Sequence, residues 1–237
     1  MKLNAAPVFC EKGFIQRSEW KWWSGLLAGI LICLISLVIG VWMVLSSTVG
    51  RVSDLHIIIM ILICQFFIVV SLVFLASLAD TDKWSKVYLI RVKLREPWVI
   101  AFIAIALGVW CFGIIWDSLF PEALKNDSQG SVRDLQSADT RLAEIVSAVI
   151  GAPISEELLY RGFMLPPLAK TRLGFWGATI VTTLLWTATH YYSWQGSLYI
   201  MGVGFALSYL LWRTGSILPS IALHGLLNLN DVIQALY

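Results

Sequence analysis

Two adjacent carboxylates, Glu156 and Glu157, lie inside a segment that is otherwise apolar enough to cross a bilayer. A charged side chain at bilayer depth costs about 2.5–3.5 kcal/mol on insertion scales, so such residues persist when they are paired or face a polar cavity. Arg161 lies one helical turn after Glu157, a spacing at which a carboxylate and a guanidinium can meet. Glu156 has no basic partner in its own predicted helix. The carboxylate of Glu156 is therefore the first candidate for chemistry.

Two histidines and an amide occur in other apolar segments of the C-terminal half. His190 follows the sequence Trp186-Thr-Ala-Thr, and His224 lies four residues before Asn228, so the last two share one helix face. A carboxylate can take a proton from water, a neutral imidazole can orient that water or bind a metal, and an amide can hydrogen-bond an oxyanion. Each residue alone is more simply explained as a structural hydrogen-bonding group. Together they indicate a buried hydrolytic centre.

These three motifs, in this order and at these spacings, resemble the signature of the CPBP family of type II CAAX prenyl endopeptidases and Abi-type intramembrane proteases. The resemblance covers about residues 142–230 and departs from the family at Trp186, where the family usually has Phe. It implies a membrane-embedded endopeptidase with a conical cavity open to one side. It also implies that Glu157 and Arg161 support the site without taking part in the reaction.

The resemblance implies a role for each of the other motif residues. Glu156 would be the general base that activates water, and His190 would hold that water or a metal. His224 and Asn228 would complete the site and stabilise the oxyanion. Glu156, His190 and His224 would also make a zinc set, but no HExxH motif is present and Asn is a poor zinc ligand. The expected cofactor is therefore either none or zinc, with a slight preference for none.

The composition is that of a polytopic membrane protein. The chain is 58% hydrophobic and only 14% charged, whereas soluble domains carry about a quarter charged residues. The apolar runs predict an all-α bundle of about seven transmembrane helices around a buried polar cavity, with an eighth short or re-entrant segment left open. The predicted spans are 24–45, 55–78, 97–116, 142–164, 174–192, 197–212 and 217–236. The prolines at 166 and 167 are expected to end the fourth span.

These spans divide the chain into three parts. Residues 1–23 form a basic N-terminal segment, residues 24–141 carry the first three helices with their loops, and residues 142–237 carry the catalytic helices. Lys and Arg alternate between the two sides as the positive-inside rule requires for a cytoplasmic N-terminus and an outside C-terminus. The short loops favour a bacterial plasma membrane over an endoplasmic reticulum. The four cysteines show neither disulfide-type nor metal-type spacing.

Straight helices would leave His190 too far along its span to reach Glu156. At about 1.5 Å per residue, Glu156 lies roughly 12 Å and His190 roughly 24 Å from the inner ends of their predicted spans. We therefore expect either that the connection 165–177 dips into the membrane or that the fifth helix begins late.

Two other classes of function stay open. A transporter would use buried Glu and His as a proton relay, although the sequence shows neither symmetry between its halves nor a pair of broken helices. A non-catalytic scaffold, or a peptide-binding immunity-type protein, would use the same residues to bind a peptide without cutting it. The expected partners are the lipid bilayer and a peptide or protein substrate, with or without a lipid group. No nucleic-acid partner is expected.

Overall fold

The structure is a computed structural model that describes residues 54–79, 96–121, 138–190 and 192–236, with separate residues between 26 and 45. The described residues between 26 and 45 are all helical. The helices described throughout are α1 (Asp54–Ala79), α2 (Glu96–Leu119), α3 (138–169), α4 (Gly174–Ala188), α5 (Trp194–Thr214) and α6 (Leu218–Leu236). The described part of the chain contains no strand, so the all-α prediction is confirmed. The predicted basic segment 1–23 lies outside the described residues.

Helix α3 is one continuous run of helical backbone whose hydrogen bonding changes four times. Its five segments are Ala138–Ile145, Val146–Gly151, Ala152–Glu156, Glu157–Met164 and Leu165–Ala169. The second and fourth are π-helical, so each N–H bonds the carbonyl five residues back instead of four, and such segments occur often at functional sites. The backbone stays in the right-handed helical region at every junction. Glu156 and Glu157 lie on either side of one of these junctions.

The prediction that two prolines end the fourth helix was wrong. Pro166 and Pro167 are buried in the first turn of the Leu165–Ala169 segment, where the missing N–H of a proline does least harm. Because α3 continues to Ala169, Glu156 lies about 20 Å from the end of its helix. This is close to the roughly 24 Å that separates His190 from the start of α4. The extension of α3 replaces the predicted dip, and α4 begins at Gly174 without delay.

The second half of α3 forms the centre of the molecule, since every residue from 157 to 169 is buried. Helix α6 runs antiparallel to the first half of α3 and approaches it closely. A Cβ on Gly225 of α6 would lie only 2.8 Å from the backbone oxygen of Val149, so only glycine fits there. Helix α5 packs against α2, α4 and α6. Small residues at such contacts are typical of helices that associate within a bilayer.

One described helical stretch, Trp98–Leu119 in α2, is long and apolar enough to cross a membrane by itself. The apolar stretch of α1, Ile58–Phe74, is shorter. Both carry large apolar side chains on their exposed surfaces, among them Phe66, Leu107 and Trp110. Of the seven predicted spans, the third is therefore supported by a helix long enough to cross a membrane. The multi-pass bundle stays a prediction.

Candidate active site

The structure brings together three residues that are far apart in the sequence. Glu156 comes from the middle of α3, His190 from the turn after α4, and His224 from α6. The Oε2 atom of Glu156 lies 3.9 Å from Nε2 of His190 and 3.9 Å from Nε2 of His224. The prediction that His190 lies within the fifth helix was wrong, because α4 ends at Ala188.

The side chains of Glu156, His190 and His224 differ in their solvent exposure. The side chain of Glu156 is 27% exposed and that of His190 is 21% exposed, whereas that of His224 is only 5% exposed. A reactant can therefore reach the cluster from the side of Glu156 and His190. His224 forms its inner wall.

The partners of the two imidazoles indicate where their protons lie. Nδ1 of His190 lies 2.8 Å from the backbone oxygen of Trp186, which can only accept a hydrogen bond. Nδ1 of His224 lies 3.2 Å from Oε1 of Glu157, a carboxylate oxygen paired with Arg161. Each Nδ1 must therefore carry the proton, and each Nε2 presents a lone pair when the ring is neutral.

The predicted pair of Glu157 and Arg161 is present and fully enclosed. Nη1 of Arg161 donates to Oε1 of Glu157 at 3.0 Å, and both side chains have no exposed surface. Nη2 of Arg161 donates to the backbone oxygen of Gly204 on α5 at 3.3 Å. The absence of a side chain at Gly204 makes room for this contact, since a Cβ there would lie 3.1 Å from Nη2 of Arg161.

Trp186 takes a larger part in the cluster than its sequence position suggests. Its indole Nε1 donates to Oε2 of Glu156 at 2.5 Å. Its ring meets the imidazoles of His190 and His224 edge-on, with ring centroids 5.0 Å and 5.4 Å apart. The guanidinium carbon of Arg161 lies 4.5 Å from the centre of the same ring. Reading Trp186 as an aromatic replacement for Phe missed the one donor that distinguishes the two rings.

Asn228 lies on the same face of α6 as His224, as the spacing predicts. Its amide Nδ2 donates to the backbone oxygen of Ala148 at 2.7 Å. This carbonyl belongs to the first π-helical segment of α3, roughly 12 Å along the helix from Glu156. The contact that the structure gives Asn228 thus joins α6 to α3, while the predicted contact with an oxyanion stays a prediction.

The donor atoms suit zinc by type but not by placement. A carboxylate and two imidazoles with anchored Nδ1 protons are common zinc ligands. Bonds of about 2.0–2.1 Å in tetrahedral geometry would put the ligand atoms about 3.3 Å apart, whereas Oε2 of Glu156 is 3.9 Å from each imidazole nitrogen. No group of three His, Cys, Asp or Glu side chains in the described ranges is placed to hold a metal ion. The choice between zinc and no cofactor stays a prediction, and the residues that would hold a zinc ion are Glu156, His190 and His224.

A separate groove of about 350 Å³ lies between α2 and α5. Its lining is apolar and includes Ile105, Phe112, Ala206 and Tyr209. None of the residues of the polar cluster contributes to it, so the groove takes no part in the chemistry of that cluster.

Comparison with known protein families finds a similarity in the C-terminal part of the chain. Residues 138–230 match the model described as "Type II CAAX prenyl endopeptidase Rce1-like". Comparisons with curated proteins and with solved structures each found no match. The matched range begins with the first residue of α3 and includes every residue of the polar cluster. Residues 138–230 are thus similar to the Rce1-like family of type II CAAX prenyl endopeptidases.

Proposed function

We propose that the protein is an intramembrane endopeptidase in which Glu156 activates a water molecule for peptide-bond hydrolysis. The observation that carries this proposal is the pair of 3.9 Å separations from Oε2 of Glu156 to the Nε2 atoms of His190 and His224. Such a distance is too long for a direct hydrogen bond and suits one bridging water. A water about 2.8 Å from both atoms of either pair closes a triangle of the right size.

In the proposed reaction, Glu156 accepts a proton from the water while the water oxygen bonds to the carbonyl carbon of the substrate. The π electrons of the carbonyl move to its oxygen, which becomes an oxyanion. When this intermediate collapses, the C–N bond breaks and the proton held by Glu156 passes to the leaving nitrogen. The products are one peptide with a new carboxyl group and one with a new amine.

The number of protons available around the proposed water indicates which group donates a hydrogen bond to the oxyanion. The three atoms that surround the proposed water, Oε2 of Glu156 and the two Nε2 atoms, are all acceptors when His190 and His224 are neutral. A water has only two protons to donate, so binding to all three requires that one of them carry a proton. We propose that one imidazole is protonated and donates to the oxyanion through its Nε2–H.

We further propose that this site lies in a multi-pass bundle with a cytoplasmic N-terminus, in a bacterial plasma membrane. Outward-facing apolar side chains on all six described helices support a lipid environment. Examples are Phe67, Ile103, Ile150, Ile180, Leu198 and Leu226. The substrate is then a peptide or protein segment that reaches the membrane interface. The similarity to a prenyl endopeptidase model extends the proposal to substrates that carry a prenyl group.

The test replaces Glu156 by Gln and measures cleavage in proteoliposomes with a library of C-terminal peptides, prenylated and unmodified. We expect kcat to fall by about 10²- to 10⁴-fold, the usual contribution of a positioned general base. Glu144→Gln is the matched control, because Glu144 lies on the same helix outside the cluster. Unchanged cleavage by Glu156→Gln would discard the mechanism.

The same assay separates the competing hypotheses. Full activity in excess chelator agrees with the water mechanism, and loss that zinc restores would replace it with a metal mechanism. Peptide binding without cleavage by the unmodified protein would favour the scaffold. Proton-coupled flux in the liposomes would favour the transporter.

A further inference from the structure

We propose that Trp186 is a positioning residue for the base, so this inference rests on the proposed function. Its indole N–H selects which oxygen of Glu156 faces the histidines. The 2.5 Å contact is made to Oε2, the same atom that lies 3.9 Å from both Nε2 atoms. One lone pair of Oε2 is thereby occupied by Trp186, which leaves the other directed to the water.

The surroundings of Trp186 show why it can hold a flexible carboxylate in place. The ring is only 2% exposed, and its position is fixed from three sides by the edge-on contacts with both imidazoles and by the guanidinium of Arg161 on its face. Its backbone oxygen also accepts the proton of Nδ1 of His190. A single residue thus touches every charged or titratable member of the cluster except Glu157.

The partial exposure of Glu156 explains why it needs such a restraint. The side chain has three rotatable bonds and is 27% exposed, so without a partner it could turn its carboxylate into solvent at little cost. A hydrogen bond to a charged acceptor contributes more than one between neutral groups. Because Trp186 is buried, it acts on a substrate only through the cluster residues that it contacts, and its indole N–H acts through Glu156.

The experiment replaces Trp186 by Phe, which keeps an aromatic ring and removes the N–H. We expect kcat to fall by about ten- to a hundredfold, as the loss of one hydrogen bond to a charged group predicts, while KM stays within about twofold. Trp176→Phe is the matched control, since Trp176 lies on the same helix, makes the ring contacts of a surface aromatic and is half-exposed. Its kcat should not change. Unaltered kcat in Trp186→Phe would overturn the proposal.

A spectroscopic readout tests the contact without any substrate. In protein labelled with ¹⁵N-tryptophan in detergent micelles, the indole signal missing from Trp186→Phe identifies Trp186. That signal should lie downfield and move upfield in Glu156→Gln, because the acceptor loses its charge, and it should stay in place in Glu144→Gln. If Trp186→Phe does not fold, the comparison of the unmodified protein with Glu156→Gln still decides, because the proposal is overturned when no downfield indole signal moves upfield in Glu156→Gln. Should the unmodified protein cleave nothing, the proposed function fails, and the indole signal still decides whether Trp186 holds Glu156.

Discussion

At the scale of single residues, one oxygen atom connects the support of the site to its proposed chemistry. Oε1 of Glu157 accepts from Nη1 of Arg161 and from Nδ1 of His224, at 3.0 Å and 3.2 Å. The first contact balances the buried charge of Glu157, and the second fixes the tautomer of His224. Glu156 and Glu157 are neighbours in the chain, yet they contact opposite nitrogens of the same imidazole ring. The buried carboxylate of Glu157 therefore orients the His224 ring, which faces the partly exposed carboxylate of Glu156.

The buried pair predicts an asymmetric response to mutation. Arg161→Met leaves the charge of Glu157 enclosed without its main partner, so we expect about 3–5 kcal/mol of destabilisation. For a chain of this size each kcal/mol lowers Tm by about 2–4 °C, which thermal denaturation in detergent micelles can measure. Replacing both residues, Glu157→Gln with Arg161→Met, should recover part of that loss because no unpaired charge remains.

The exposed Arg172 provides the control for this experiment. Arg172→Met should leave Tm nearly unchanged, since surface ion pairs contribute little. An equal loss of Tm in the single variant Arg161→Met and in the double variant would contradict the prediction, because it would show that the two charges do not depend on each other.

At the scale of elements, the close approach of α6 to α3 sets the distance between His224 and the carboxylates. Gly225 follows His224 directly and has the oxygen of Val149 where a side chain would begin. Asn228, one turn later, ties the same face of α6 to Ala148. Both contacts fall in the π-helical segment Val146–Gly151. Helix α6 thus contacts backbone oxygens of α3 at the edge of the site.

This packing predicts that Gly225→Ala pushes α6 away from α3. We expect overpacking to destabilise the protein by about 1–3 kcal/mol and to reduce kcat as His224 moves away from Glu156. The matched control is Gly108→Ala in α2, where a Cβ would meet nothing within 4 Å and where alanine favours the helix by up to about 1 kcal/mol. If both variants behave alike in thermal denaturation and cleavage, the close approach does not position His224.

Part of this arrangement could be predicted from the sequence, and the reasons are physical. Apolar runs and helical spacing depend on local sequence, so each predicted span overlaps helical residues, and the pairing of Glu157 with Arg161 follows from one helix turn. The hydrogen bond from Trp186 to Glu156 joins residues thirty positions apart. Such a contact depends on how two helices pack, and spacing along the chain does not encode it.

The observed bounds of the helices also differ from the predicted ones at positions where the local sequence alone does not determine the hydrogen bonding. Nothing in the composition of the two π-helical segments of α3 distinguishes them from α-helix in the sequence. Pro166 and Pro167 lie in the first turn of the Leu165–Ala169 segment, where the hydrogen bonding has just changed from π-helical to α-helical, and the helical backbone continues past them. Boundary predictions based on breakers alone therefore failed at this point.

At the scale of the whole molecule, the proposed topology makes a prediction about its two ends. With Cys33, Cys64 and Cys111 replaced by Ala, Cys10 is the sole thiol, and a membrane-impermeant maleimide should label it only after the cells are permeabilised. Under the same conditions, with Cys10 also replaced, Tyr237→Cys should be labelled in intact cells. Labelling of Cys10 in intact cells would contradict the cytoplasmic N-terminus.

The enclosed charges of α3 have a consequence for how the protein is made. In the proposed bilayer setting this helix brings Glu156, Glu157 and Arg161 into the apolar layer, at about 2.5–3.5 kcal/mol for each ionised group. Apart from the pair that Glu157 and Arg161 form with each other, their described partners come from α4, from the turn after it, from α5 and from α6, all of which are synthesised later. A nascent chain that stops before α4 thus holds α3 with only the Glu157–Arg161 pair to offset these costs. The proposed catalytic cluster can form only once α6 has been synthesised, because His224 lies on that helix.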